Sequence, residues 1–263
     1  MTKVMNISFE GIEMPCSVFG QGEKTMVMLP GVSVKDVAWS AGAVAAQYRL
    51  LTEKYTVWLF DRRTNISDGY SIADMAEDTA TVMEHLGLRD TYMLGASQGG
   101  MVAMCIAARH PELVRKLAVA SSAARGSDFS DRVFSRWIEL AEKKDRTELT
   151  RDFLSTCYSP ASFEAMGNVF ERLGRTFSDA ELEHYAVITK ALLGCSVMDE
   201  LKMIACPMLN IGSTADRVFG EAGCREIAEN SQCESYIYTE GYGHSVYDEA
   251  PDFTRRLFEF FEA

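Results

Sequence analysis

Short apolar runs and longer segments with helical periodicity alternate along most of the chain. The apolar runs predict buried strands at 25–29, 55–60, 91–95 and 114–120. The first three strands are each followed by a segment whose pattern predicts a helix, over 36–53, 71–87 and 98–109. This alternation predicts the α/β fold class, with a mostly parallel central sheet and helices on both faces.

Both ends of the chain add strands to this pattern. Residues 4–9 and 12–19 predict a hairpin that turns at a Glu-Gly pair. Later apolar runs at 207–212 and 236–239 predict two more strands, and a helical pattern closes the chain. Functional side chains in such a sheet are expected at the C-terminal ends of its parallel strands.

The alternation stops between residues 125 and 195. This segment is charged, has a helical pattern and is rich in aromatic residues. The aromatic residues are Phe134, Trp137, Phe153, Tyr158, Phe163, Phe170, Phe177 and Tyr185. We therefore predict a helical insertion between the strands at 114–120 and 207–212.

The turn after the strand at 91–95 carries the most informative motif in the chain. The pattern Gly-x-Ser-x-Gly, centred on Ser97, joins this strand directly to an almost wholly apolar helix. A sharp turn of this kind projects a serine hydroxyl towards a base, and Gly95 and Gly99 allow strand and helix to cross closely. Ser97 is therefore the candidate nucleophile. The alternative is a glycine-rich turn whose serine only caps the helix.

A serine nucleophile needs a base, and the chain holds four histidines. His85 and His184 lie in helical patterns beside charged residues, and His110 precedes the proline that ends a helix. His244 lies in a glycine-rich loop after the strand at 236–239, at a strand end where a general base is needed. We predict that His244 is the base, with a solvated loop histidine as the alternative.

The third member of a triad is a carboxylate that orients the imidazole. Asp216 follows the strand at 207–212, whereas the loop after 114–120 offers no carboxylate. The chain order Ser97, Asp216, His244 differs from the orders found in chymotrypsin and subtilisin. Asp216 is therefore predicted to hold the histidine, and the alternative is a residue that closes an Asx turn.

Together these residues resemble the α/β-hydrolase-fold family over nearly the whole chain, apart from 125–195. The segment Leu-Pro-Gly-Val after the strand at 25–29 is similar to the oxyanion loop of the family, with Pro30 where the family has histidine. The resemblance implies an oxyanion hole formed by the backbone N–H groups of Val32 and Gln98. Because these donors belong to the backbone, Pro30 does not abolish the hole.

The resemblance also suggests a role for the helical insertion. It implies that residues 125–195 form a cap, or lid, over the site, while 1–124 and 196–263 form the α/β-hydrolase core. Apolar cap side chains would line the pocket and exclude water, so we expect a small-molecule substrate with an apolar portion. No cofactor is implied.

Composition narrows the range of partners. The 263 residues carry a net charge of −12 without a dense basic cluster, which disfavours nucleic acid as a partner. No apolar run reaches transmembrane length, so no membrane insertion is expected. Seven cysteines, odd in number and without metal-ligand spacing, predict reduced thiols in a cytoplasmic protein and no metal site.

The sequence therefore predicts a serine hydrolase, similar to carboxylesterases, that cleaves a small ester or related acyl substrate through an acyl-enzyme. A C–C bond hydrolase, an enol-lactonase or a lyase would use the same triad. A ligand-binding protein without catalytic activity is the remaining alternative, although such proteins usually lose a triad residue.

Overall fold

An eight-stranded sheet forms the centre of the computed structural model, which describes residues 2–263. Its strands are β1 (Lys3–Phe9), β2 (Ile12–Gly20), β3 (Lys24–Leu29), β4 (Tyr55–Phe60), β5 (Thr91–Ala96), β6 (Val114–Ala120), β7 (Met208–Ser213) and β8 (Glu234–Tyr238). They lie in the order β1-β2-β4-β3-β5-β6-β7-β8. Strand β2 pairs antiparallel with β1 and β4, and all other neighbours are parallel. The prediction of a mostly parallel sheet is confirmed.

Helices cover both faces of this sheet. They are α1 (Val37–Gln47), α2 (Ile72–His85), α3 (Gln98–Arg109), α4 (Asp128–Glu142), α5 (Arg146–Cys157), α6 (Pro160–Gly174), α7 (Asp179–Lys190), α8 (Met198–Met203), α9 (Gly220–Asn230), α10 (Val246–Glu249) and α11 (Phe253–Glu262). The side chains of β3 show the two layers. Met26 and Met28 belong to the same apolar core as α1 and α11, whereas Val27 and Leu29 belong to the core of α2 and α3.

One predicted helix is shorter in the structure. The pattern predicts a helix over 36–53, but α1 ends at Gln47. The chain then tightens into turns, in which the Leu51 amide donates to the Tyr48 carbonyl at 2.9 Å. These turns bury Leu51 completely and bring the chain back to the sheet at Tyr55. Burial of one leucine thus outweighs continuation of the helix.

Helices α4 to α7 lie between β6 and β7 in the chain, as the interrupted pattern predicts. The two ends of this helical insertion meet, because Arg125 pairs with Ser196 in an isolated antiparallel bridge. The Gly126 amide also donates to the Cys195 carbonyl at 2.8 Å. The insertion therefore begins and ends at neighbouring points in the structure. The division of the chain into cap and core stays a prediction.

The helices within residues 2–263 are too short or too polar for any of them to cross a membrane. All seven cysteines are unpaired. Cys16, Cys105, Cys157 and Cys224 are buried, and the other three are partly exposed.

Candidate active site

Ser97 occupies the sharp junction between β5 and α3. Its backbone adopts φ 53° and ψ −121°, a strained conformation for a residue with a side chain. A Cβ on Gly95 would overlap the Gly99 carbonyl, and a Cβ on Gly99 would overlap the Leu29 carbonyl. The two glycines therefore permit the close crossing that holds Ser97 at the C-terminal end of its strand.

The Ser97 hydroxyl does not cap the helix that follows it. Instead, its Oγ lies 2.9 Å from Nε2 of His244. The surrounding backbone is fixed, since the Ser97 amide donates to the Ala120 carbonyl and the Ser122 hydroxyl donates to the Ser97 carbonyl, both at 2.9 Å. Ser97 is only 4% exposed, and its hydroxyl lies against the imidazole.

The other ring nitrogen of His244 contacts Asp216. Its Nδ1 lies 2.8 Å from Asp216 Oδ2, and both residues are buried. The second carboxylate oxygen accepts the amides of Val218 at 2.7 Å and Phe219 at 3.1 Å. Asp216 therefore closes a turn with one oxygen and holds the histidine with the other. An ionised carboxylate fixes the proton on Nδ1, which leaves Nε2 to accept a proton from Ser97.

The loop that carries the histidine is tied to the helical insertion. The Ser245 amide donates to the Cys157 carbonyl at 2.8 Å. The Glu249 carboxylate accepts the Gly243 amide at 2.6 Å and the Ser159 amide at 3.0 Å. The insertion therefore supports the position of the histidine as well as lying beside it.

The two amides predicted for the oxyanion hole lie near the nucleophile. Gln98 begins α3, so its amide points out of the positive end of the helix. The loop that contains Val32 packs on this first turn, since Gly99 lies against the carbonyls of Leu29 and Pro30. Within residues 2–263, neither the Val32 amide nor the Gln98 amide donates a hydrogen bond. Both are therefore available to a substrate oxygen.

Arg62 joins these two parts of the site, a role that was not predicted from the sequence. Its Nη2 donates to the Pro30 carbonyl at 2.6 Å and to Oε1 of Gln98 at 2.8 Å. The Gln98 side-chain amide in turn donates to the Ile188 carbonyl on α7 at 2.5 Å. Burial lowers the pKa of Arg62, and the neighbouring Asp61 carboxylate partly offsets this. One feature of the sequence could have indicated this contact, because Gln98 is a polar residue at the start of an almost wholly apolar helix.

The remaining histidines have other contacts. The ring of His85 stacks on the ring of Phe9 with centroids 3.8 Å apart. His110 Nε2 lies 3.1 Å from a glutamate oxygen, and His184 Nε2 lies 3.0 Å from a backbone carbonyl. None of the three lies near Ser97, so His244 is the base that this geometry offers.

A cavity of about 370 Å³ adjoins the site. Its wall on the sheet side includes Pro30, Gly31, Val32, Ala96 and Ser245, all of them close in the chain to the candidate catalytic residues. Its opposite wall includes Phe153, Tyr158, Phe170 and Phe177 from the helical insertion. Half of the aromatic set found in the sequence therefore lines this cavity. Of the rest, Phe134, Trp137 and Tyr185 are almost completely buried.

Part of the cavity lining is polar. The Asp248 carboxylate accepts the Tyr158 hydroxyl at 2.8 Å and the Gln47 side-chain amide at 3.3 Å. Asp248 is an exposed residue, yet the protein around its carboxylate still desolvates that group. This desolvation raises the pKa of Asp248, against the lowering effect of the two hydrogen bonds.

A larger depression, of about 740 Å³, lies elsewhere on the molecule. Its lining includes Leu201, Pro207 and Ser231, at the N-terminal end of β7. This is the edge of the sheet opposite Ser97, so the depression does not serve the candidate triad. No cluster of three or more potential metal ligands occurs within the described part of the chain, residues 2–263.

Comparison with known proteins agrees with this architecture. The sequence profile of the α/β hydrolase fold matches residues 39–251. The chain is 22% identical to 3-oxoadipate enol-lactonase 2 from Acinetobacter baylyi over 216 residues, which cover 76% of this chain and 80% of that protein.

Solved structures show the same fold at low sequence identity. MGS-M2, an α/β hydrolase from a deep-sea metagenome library, superposes with a TM-score of 0.87 at 20% identity and covers 98% of both chains. The enol-lactonase from Burkholderia xenovorans superposes with a TM-score of 0.84 at 22% identity, covering 98% of this chain and all of the other.

Proposed function

The chain belongs to the α/β-hydrolase-fold family, and on that premise we propose that it is a serine hydrolase that cleaves the ester bond of a small substrate. The observation that carries this proposal is the continuous hydrogen-bonded chain from Ser97 Oγ through both ring nitrogens of His244 to Asp216. Each of these side chains is buried at the C-terminal edge of the sheet, where the fold places catalytic groups.

In the proposed reaction, Ser97 Oγ attacks the ester carbonyl carbon while His244 Nε2 takes the hydroxyl proton. Asp216 stays ionised and stabilises the imidazolium, and the amides of Val32 and Gln98 donate to the oxyanion. The bond to the alcohol then breaks, and the alcohol leaves with the proton from His244. Water attacks the acyl group next and gives a proton to the imidazole. The bond between the acyl carbon and Ser97 Oγ then breaks, the imidazolium returns its proton to Ser97 Oγ, and the acid leaves.

We also propose that residues 125–195 act as the cap of this site. The aromatic wall that they contribute to the cavity favours a substrate with an apolar portion. An apolar wall of this kind also excludes water from the acyl group and strengthens the hydrogen bonds to the oxyanion. The proposed mechanism uses no metal or cofactor.

The thiols support a reducing compartment such as the cytoplasm. Burial raises the pKa of Cys16 and of Cys105 to about 12, so both stay protonated at neutral pH. All seven cysteines are unpaired, which is typical of proteins that do not depend on disulfides.

Replacing Ser97 tests the proposal. Ser97→Ala removes the attacking oxygen and should lower kcat for an activated ester such as p-nitrophenyl butyrate by about 10³-fold or more. Ser17→Ala is the matched control, because Ser17 is also a buried serine but its hydroxyl has no hydrogen-bond partner among residues 2–263. Full activity in Ser97→Ala, with the control unchanged, would contradict the proposal.

An enol-lactone is the second candidate substrate, since a relative of 22% identity over most of both chains is named as an enol-lactonase. Opening a lactone breaks the same acyl–oxygen bond, but the alcohol part stays attached to the acyl part. Rates for matched open esters, enol-lactones and vinylogous diketones distinguish the alternatives. A preference for the open ester of at least 100-fold in kcat/KM would favour ester hydrolysis, and the reverse would favour the lactone.

A further inference from the structure

Arg62 is a buried arginine that contacts the candidate site, and it has no role in the mechanism above. The residue is 5% exposed, and its side chain lies between the oxyanion loop and the first turn of α3. We propose that Arg62 is a positioning residue that sets the distance between the Val32 and Gln98 amides. This inference rests on the proposed function, because it concerns the oxyanion hole of that reaction.

The hydrogen bonds of one guanidinium nitrogen support this proposal. Nη2 donates to the Pro30 carbonyl at 2.6 Å and to Gln98 Oε1 at 2.8 Å, so a single atom holds both sides of the hole. Pro30 precedes Val32 by only two residues, and Gln98 itself supplies the second amide. Hydrogen bonds from a charged donor are about twice as strong as neutral ones. The guanidinium therefore resists separation of the two amides.

The burial of this charge is costly for stability alone. Arg62 Nε is buried without a hydrogen-bond partner within residues 2–263, and burial lowers the pKa of the guanidinium. The Asp61 carboxylate is partly buried, and its two oxygens accept the backbone amides of Val37 and Arg62 at 2.8 Å. Apolar residues of similar volume are often at least as stabilising as buried charges. A buried guanidinium at this point therefore indicates a requirement for its directed hydrogen bonds.

The helical insertion completes this arrangement. The Gln98 side-chain amide donates to the Ile188 carbonyl at 2.5 Å, while its Oε1 accepts from Arg62. Gln98 is completely buried, so both ends of its side chain are held. The oxyanion loop, the first turn of α3 and helix α7 are thus joined through two side chains.

Arg62→Met tests the inference, with Arg63→Met as the matched control. Arg63 carries the same side chain one residue later, but it contacts Asp78, Asn65 and the Gly11 carbonyl. Since small displacements of catalytic groups are costly, we expect Arg62→Met to lower kcat per titrated active site by about 10- to 100-fold. KM should change less than about threefold, because ground-state binding is retained. The control should lose thermal stability and keep kcat within about twofold.

Two further readouts separate positioning from general structural support. Affinity for a phenylboronic acid, whose adduct with Ser97 places an oxygen anion at the hole, should fall by the same factor as kcat/KM. Arg62→Lys should recover part of kcat, because the ammonium keeps the positive charge and the donor hydrogens but lies on a shorter side chain.

Gln98→Met provides a second variant if Arg62→Met does not fold. It keeps the backbone amide and the approximate shape while removing both side-chain hydrogen bonds. The loss in kcat should match that of Arg62→Met, and the double variant should lose no more than the larger single loss. Folded Arg62→Met or Gln98→Met with kcat equal to that of Arg63→Met would overturn the inference. Retained activity in Ser97→Ala would instead overturn the proposed function itself, so the two failures are distinguishable.

Discussion

The triad edge of the sheet and the aromatic wall of the helical insertion hold their side chains by different forces. At the sheet edge, directed hydrogen bonds of 2.8 Å and 2.9 Å fix His244 between Asp216 and Ser97. In the insertion, Phe153 and Phe170 are held by apolar packing, which has little directional preference. Changes at the sheet edge should therefore affect the rate of reaction. Changes in the aromatic wall should affect which substrate is preferred.

The largest expected effect comes from Asp216→Asn. An asparagine amide would donate to His244 Nδ1, which forces the remaining proton onto Nε2 and removes the acceptor for the Ser97 hydroxyl. We expect kcat to fall by about 10⁴-fold while the protein stays folded. The measurement is kcat per folded protein for an activated ester.

Asp152→Asn is the matched control from the insertion. Asp152 accepts the Trp137 indole N–H at 2.9 Å, so the same substitution perturbs packing away from the triad. Its kcat should stay within about threefold of the parent enzyme. Equal losses in the two variants would contradict the separation of rate from preference.

Phe170→Ala should change substrate preference, with an effect smaller than that of Asp216→Asn on kcat. Phe170 lines the cavity, so its removal enlarges the space for the acyl group. The kcat/KM ratio between bulky and short esters should shift by about 1–3 kcal/mol towards the bulky ester. Phe163→Ala, on the same helix but outside the cavity lining, should leave this ratio unchanged. A ratio unaffected by both variants would assign the wall a purely structural role.

The smallest expected effect is on stability, at Asp248. Its raised pKa means that the folded protein binds the proton more tightly than the unfolded chain, so ionisation costs stability at neutral pH. Asp248→Asn removes that cost and still accepts the Tyr158 hydroxyl. The variant should therefore be slightly more stable at pH 7. This advantage should shrink as the pH falls through the raised pKa and be lost below the ordinary value of 3.8.

Asp252→Asn should behave in the opposite way. Burial acts to raise the pKa of Asp252, but the Tyr238 hydroxyl and the Arg256 guanidinium outweigh it and lower the pKa. The ionised carboxylate therefore stabilises the fold above its ordinary pKa, and acid removes that contribution. Thermal melts from pH 3 to pH 8 measure both variants. The same sign for both would contradict these assignments.

The parts that could be predicted from the sequence are those encoded locally. The strand–turn–helix junction at Ser97 and the loop positions of Asp216 and His244 are visible in short segments, and the sheet follows from alternation. The contacts of Arg62 could not be predicted, because they join residues 32 and 36 positions apart in the chain. It could not be predicted either which of the aromatic residues line the cavity, because helical spacing does not show which helix face meets it.

Covalent labelling of the nucleophile tests the central claim most directly. A fluorophosphonate probe should add one phosphonyl group, with loss of fluoride, and peptide mass spectrometry should place it on Ser97. Labelling should be absent in Ser97→Ala and slowed by about 10³-fold or more in His244→Ala, because the hydroxyl then lacks its base. An unlabelled protein, or an adduct on a different residue, would contradict an activated Ser97.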